Sequence, residues 1–188
     1  MRSRADDDDL GLFARSCHEG IVAADAANGQ LREDLPYASG GVVKPSAKPG
    51  KPKDCPCSSD ARYAACCGPY HARSREPETP EALMRSRFSA FALGLGEYLV
   101  DTLAATHEDR LLSRAAFALS LSRLRERGRF LKLTVLEAPP PPAGGDGEVL
   151  FHARVFEGGN DVSFSERSRF VREGAAWRYA DGTLVTDV

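Results

Sequence analysis

No stretch of this chain stays apolar for the roughly 18 residues that a membrane-crossing helix needs. Charge of one sign is lacking too. Lys and Arg number 25 and Asp and Glu 27, giving a formal net charge of -2. Nothing global therefore draws the chain to nucleic acid or to an anionic membrane, and such a contact would have to come from a local patch. The opening MRSRADDDDLGLF has no uninterrupted apolar run of the secretory kind, and its four consecutive aspartates do not suit an acid-poor transit peptide. The expected compartment is a reducing one, most simply the cytoplasm; the alternative is a plastid, if the source is photosynthetic and the amino terminus is incomplete. No glycine motif that cradles phosphate is present, and no nucleophile–base–orienter set can be read out.

Only five cysteines occur, but four of them, Cys55, Cys57, Cys66 and Cys67, fall within 13 residues, CPCSSDARYAACC. In a reducing compartment such crowding favours a metal over disulfides. Cys55-Pro56-Cys57 supplies two thiolates from one tight turn, and eight residues bring the chain back to Cys66-Cys67. The expected cofactor is a structural zinc held by all four sulfurs, which closes the coordination sphere and leaves no position for a catalytic water. Tyr63 with Ala61, Ala64 and Ala65 suits a one-turn helix beside the site. The competing readings are a redox-active CxC, a disulfide pair or chance. Disulfide geometry is demanding enough that adjacent cysteines such as Cys66 and Cys67 rarely pair.

Residues 1–53 read as a weakly helical or disordered extension and linker. Leu10, Phe13, Cys17 and Ile21 keep helical spacing, whereas SGGVVKPSAKPGKPK (39–53) carries Lys44, Lys48, Lys51 and Lys53 with no apolar period. Residues 54–72 would form the zinc module and 78–188 an α+β domain. Thr79, Pro80 and Glu81 read as N-cap, first helical position and first-turn acid. Met84, Phe88, Phe91, Leu95 and Leu99 make one buried stripe. Gly94 and Gly96 should break the run into helices near 80–93 and 97–106, and a third helix is expected from Glu108 to about Arg127, ended by Gly128. From Arg129 the period changes to two. After the PPPPAGG loop, strands are expected at 148–156, 162–171 and 176–180, with Trp177 and Tyr179 facing inward. Helices first and strands afterwards indicate an antiparallel sheet covered by helices.

CPCSSDARYAACCGPYH resembles the SEC-C motif, a small zinc module also found at the carboxyl terminus of the SecA translocation ATPase. With PETPEALMRSRFSAFALGLGEYLVDTLAATH and SERSRFVREGAAWRYADGT, residues 55–183 look like the YchJ family, which pairs that motif with a cone-like domain similar to nuclear transport factor. The resemblance implies a curved antiparallel sheet wrapped by helices, and a module that docks on a partner protein. One departure stands out: the motif's Gly-Ser-Gly-Lys turn is here Ser58-Ser59-Asp60-Ala61. Serine and aspartate can stand in for the glycines, since Asp tolerates left-handed backbone. The basic face carried by the family's lysine is reduced to Arg62.

Polar residues interrupt the apolar strand faces. Glu166 and Ser168 lie between Val162, Phe164 and Phe170, and His152 and Arg154 lie between Leu150 and Phe156. With Arg85, Arg87 and Ser89 from the first long helix and His107 after the second, they are candidates to line a cavity for a small polar or anionic ligand. The bland alternative is a solvated sheet face with surface ion pairs. The function expected is that of a non-enzymatic zinc protein binding a partner or a small ligand. The alternatives are an enzyme using His107, Glu166 and the helix arginines, and ribosome or nucleic-acid association through Lys44–Lys53 and the zinc module.

Overall fold

The computed structural model describes residues 50–186. The expected helix through Leu10, Phe13, Cys17 and Ile21, together with Lys44 and Lys48 of the linker, lies outside the described residues. The cysteine segment opens the described part, with a 3-10 turn at Tyr63–Ala65 and the short helix α1 (Gly68–His71). Helices α2 (Pro80–Leu93), α3 (Gly96–Asp101) and α4 (Arg114–Arg127) follow, and then strands β1 (Gly128–Glu137), β2 (Gly147–Glu157), β3 (Asn160–Asp161), β4 (Phe164–Glu173) and β5 (Ala176–Leu184). The sheet is antiparallel, ordered β1-β2-β4-β5, with β3 paired to the end of β2. The architecture is thus α+β, helices packed on an antiparallel sheet.

Helix α2 begins where local chemistry dictates: Thr79 Oγ1 accepts from Ala82 N at 3.1 Å, with Pro80 at the first position. It ends at Gly94, whose φ of 68° is left-handed and open to glycine without a Cβ penalty. Its apolar side, Leu83, Met84 and Phe88, packs into the sheet against Val149, Phe151, Ala153, Phe170 and Trp177. Burial of each such large apolar side chain is worth roughly 1.5–3 kcal/mol. A second core lies between helices, where Leu99, Val100 and Leu103 meet Phe117, Ala118 and Leu121.

Three element expectations need correction. Helix α3 stops at Asp101 rather than near 106, because the chain beyond it pairs with β5: Tyr179 N donates to Thr102 O at 2.9 Å and Ala104 N to Tyr179 O at 2.8 Å. The helix expected over 108–127 is two pieces, a 3-10 turn at Glu108–Leu111 and then α4. The helix does end at Arg127 with Gly128 as its C-cap, as expected, but without a left-handed turn. The φ of -104° and ψ of 139° at Gly128 are extended, and the chain runs directly from α4 into β1. The last strand is longer than expected, reaching Leu184.

Candidate functional site

The four cysteines come together. Their sulfurs all lie within 4.8 Å of one another, with Cys57 Sγ 3.6 Å from Cys66 Sγ and Cys66 Sγ 3.8 Å from Cys67 Sγ. Four sulfurs at roughly 2.3 Å from a tetrahedral metal stand about 3.8 Å apart, so the donor set fits a metal ion. Cys55, Cys57 and Cys67 are buried. The turn that brings the two pairs together uses left-handed backbone at Ser58 (φ 59°) and Asp60 (φ 59°), the positions at which the SEC-C motif has glycine. Ser59 Oγ sits 3.2 Å from the sulfurs of both Cys57 and Cys66, and Ser89 Oγ is 3.5 Å from Cys55 Sγ. Hydroxyls placed there can donate to thiolates and orient them, as outer-sphere groups do around metals.

The cysteine segment is fastened to the rest of the protein on one side of α2. His71 Nε2 is 2.9 Å from Ser86 O, and since a carbonyl only accepts, that nitrogen carries the proton. The Tyr63 hydroxyl then donates to His71 Nδ1 at 2.8 Å, and burial lowers the His71 pKa, keeping the ring neutral. Tyr98, edge-on to His71 and hydrogen-bonded to Ser86 Oγ at 2.7 Å, is pushed up to about 12 by burial. Ser58 Oγ accepts from Leu133 N at 3.2 Å, so the turn also covers part of β1, a sheet edge otherwise open to strand pairing. Sequence reasoning gave His71 no role, although it lies within the quoted motif four residues after Cys67.

A separate cavity of about 250 Å³ lies between α2, the 3-10 turn at Glu108–Leu111, α4 and the sheet. Arg87, His107, Glu166 and Ser168, all expected there, do line it. Four expected residues do not. Arg85 binds Glu81 at 2.7 Å and Cys57 O at 3.3 Å, and Ser89 faces Cys55. Both therefore belong to the cysteine segment's docking surface. His152 pairs with Ser165 at 3.0 Å, and Arg154 lies over the Phe156 ring. These two stand on the outer face of the sheet, because the face of β2 turned inward is Val149, Phe151, Ala153 and Val155. Aromatic rings contribute much of the remaining wall, among them Phe88, Phe91, Phe130, Phe151, Phe164 and Tyr179.

Glu166 is the half-buried acid at the centre of the cavity's hydrogen bonds. Ser168 Oγ donates to its Oε1 at 2.6 Å and Tyr179 OH donates to the same oxygen at 3.2 Å. Gly182 of β5 leaves room for this carboxyl, since a Cβ there would collide with Oε1. Desolvation raises the Glu166 pKa from its ordinary 4.5, against the opposing hydrogen bonds and the Arg87 charge. Burial likewise lowers the His107 pKa, and His107 Nδ1 accepts from Asp109 N at 3.2 Å, capping the 3-10 turn. A carboxyl raised in the folded state binds more protons there than in the unfolded chain, so stability falls as pH rises from about 4.5 through the folded value. Glu166→Gln keeps an acceptor for both hydroxyls and removes that loss. Its melting temperature is expected to exceed that of the wild-type chain by a margin growing with pH above about 4.5. Parallel melts across that range with a constant difference would contradict this.

Residues 79–182 match the family described as YchJ, middle NTF2-like domain. The chain is 39% identical over 134 residues to a UPF0225 protein of Vibrio vulnificus, covering 71% of this chain and 76% of that one. It is 38% identical over 129 residues to the UPF0225 protein YchJ of Shigella dysenteriae, covering 69% of this chain and 82% of that one. A solved SEC-C motif containing protein from Rhodopseudomonas palustris superimposes with a TM-score of 0.60 at 37% identity, over 71% of this chain and 99% of that chain. A second, from Psychrobacter arcticus, gives 0.59 at 26% identity, over 73% and 86%. No helix among the described residues is long and apolar enough to cross a membrane. With a four-cysteine cluster fastened to an NTF2-like domain, the chain belongs to the YchJ (UPF0225) family.

Proposed function

We propose that this is a cytoplasmic, non-enzymatic zinc protein. In this reading residues 54–72 form a structural zinc module, and residues 78–188 form a cone-like domain that receives a small ligand and carries the module. The grouping of four sulfurs within 4.8 Å is the observation that carries the metal reading. Soft thiolate ligands in a tetrahedral set suit zinc, and with all four positions taken by protein the ion folds the segment rather than activating water. Cys55, Cys57, Cys66 and Cys67 would be the ligands. The side of the module turned away from α2 exposes Asp60, Arg62, Ala64 and Ala65, and this is the face a protein partner would meet. An enzymatic reading through His107 and Glu166 has no hydrogen bond between the two in its favour, since His107 is engaged with Asp109 N and Glu166 with Ser168 and Tyr179.

The test is metal analysis of the purified full chain. One zinc per chain is expected, falling below about a tenth of that in Cys57→Ser, because loss of one thiolate from a closed four-ligand set removes most of the affinity. Arg62→Glu should keep its zinc and its melting temperature while losing whatever partner the wild-type chain captures. Iron or no metal in the wild-type chain would sink the zinc assignment.

A further inference from the structure

The cavity carries a sign. We propose that it binds a small organic cation, an ammonium group borne on a compact aryl or alkyl body, with Glu166 as its counter-group; this rests on the receptor reading above. Glu166 is held by its Oε1, which takes both the Ser168 and the Tyr179 hydroxyls. Its Oε2 makes no hydrogen bond among the described residues and is not one of the enclosed unpartnered atoms. One carboxylate oxygen is therefore fixed by protein and the other is left to whatever enters. Ammonium groups have three donors and no acceptor, and they suit an acceptor-only carboxylate.

The surroundings agree in sign. Glu108, Asp109 and Asp181 join Glu166 in the lining, and the opposing groups are Arg87 and His107. Asp181 is also paired with Arg169 outside the cavity. The Arg87 guanidinium is anchored through Nη1, which donates to Leu99 O at 2.8 Å and to Thr102 Oγ1 at 2.6 Å. An anion entering here would meet the Glu166 carboxyl and the acidic groups beside it. The walls agree in kind, because phenylalanine rings present negative faces that attract a desolvated cation. At about 250 Å³ the space lies below the roughly 300–1,000 Å³ of sites for drug-sized molecules, so the body carrying the charge is about one ring in size.

Three probes of nearly equal shape separate the outcomes: phenethylamine, phenylethanol and phenylacetate, titrated calorimetrically into the zinc-loaded full chain. The amine is expected to bind at least about tenfold tighter than the other two, matching a charge-assisted hydrogen bond added to the same apolar contacts. Glu166→Gln, expected to fold at least as stably as wild type, should bring the amine down to the alcohol while leaving the alcohol unchanged. Equal binding of amine and alcohol, or tightest binding of phenylacetate, overturns the cation inference but keeps the receptor. Tight amine binding that survives Glu166→Gln removes Glu166 from the role. If none of the three binds, the receptor reading falls and the inference goes with it.

Discussion

Removing the metal from the cysteine cluster is expected to lower the melting temperature of the whole chain by more than about 10 °C, taking 2–4 °C per kcal/mol for a chain of this size. The segment that the cluster organises has almost no other core: Tyr63 is buried with the cysteines, and Leu93 of α2 packs against them. Structural zinc contributes about 10–16 kcal/mol in small peptides, and losing even half of that would exceed what the segment's few hydrogen bonds return. The damage spreads because the segment is not an appendage. It covers Ser86 and Ser89, both 0% exposed, and it supplies the Ser58 hydroxyl to β1. Once it unfolds, Ser86 O loses His71 and part of α2 becomes wet. Thermal melts with and without a thiol-compatible chelator, with metal counted in each sample, check this. A metal-free chain melting within about 2 °C of the loaded one would mean that the cluster is a passenger, since a ΔΔG below about 1 kcal/mol corresponds to so small a shift.

Much of the fold was readable because its signals are local. The Thr79-Pro80 start and the Gly94 stop of α2 depend on neighbouring backbone alone, and both stand where expected. The four-cysteine cluster was equally legible, as ligand type and spacing set what a metal can reach. What resisted was direction. Arg85 and Arg87 were expected to share a cavity, yet at about 100° per residue they point some 200° apart on α2. Arg85 accordingly joins Ser89 on the module side, and Arg87 joins Met84, Phe88 and Phe91 on the cavity side. In β2, EVLFHARVF is apolar at both parities, so alternation could not choose a face. The choice is made by tertiary packing, which buries Phe151 and Ala153 beneath α2 and leaves Leu150 flanked by Glu137 and Arg167 on neighbouring strands. Gly182 was overlooked although Asp181-Gly182 in mid-strand is a signal: an interior strand glycine often marks a close approach, here of the Glu166 carboxyl.

Arg87→Ala is expected to destabilise the protein by about 3 kcal/mol, close to 10 °C in melting temperature, from one hydrogen-bonded charge and one buried cation–π contact. Arg87 is 6% exposed, and its guanidinium reaches from α2 to the last turn of α3. There it meets Leu99 O and Thr102 Oγ1, acceptors at the end of a helix where a positive charge is also favoured by the dipole. The same group lies 4.6 Å over the Tyr179 ring, and the Tyr179 backbone exchanges bonds with Thr102 and Ala104. One side chain thus ties α2, α3 and β5 together at the cavity rim. Arg87→Lys should recover only part of the loss, because an ammonium is a point donor and stacks less well than a planar fork. The binding measurements make the assignment decidable. If Arg87→Ala melts within about 2 °C of wild type while phenylacetate binding disappears, the arginine serves an anionic ligand, and both the clasp and the preference for a cation are wrong. If the melt falls as expected and Arg87→Lys, folded at lower temperature, still prefers the amine, the arginine builds the cavity and Glu166 reads what enters it.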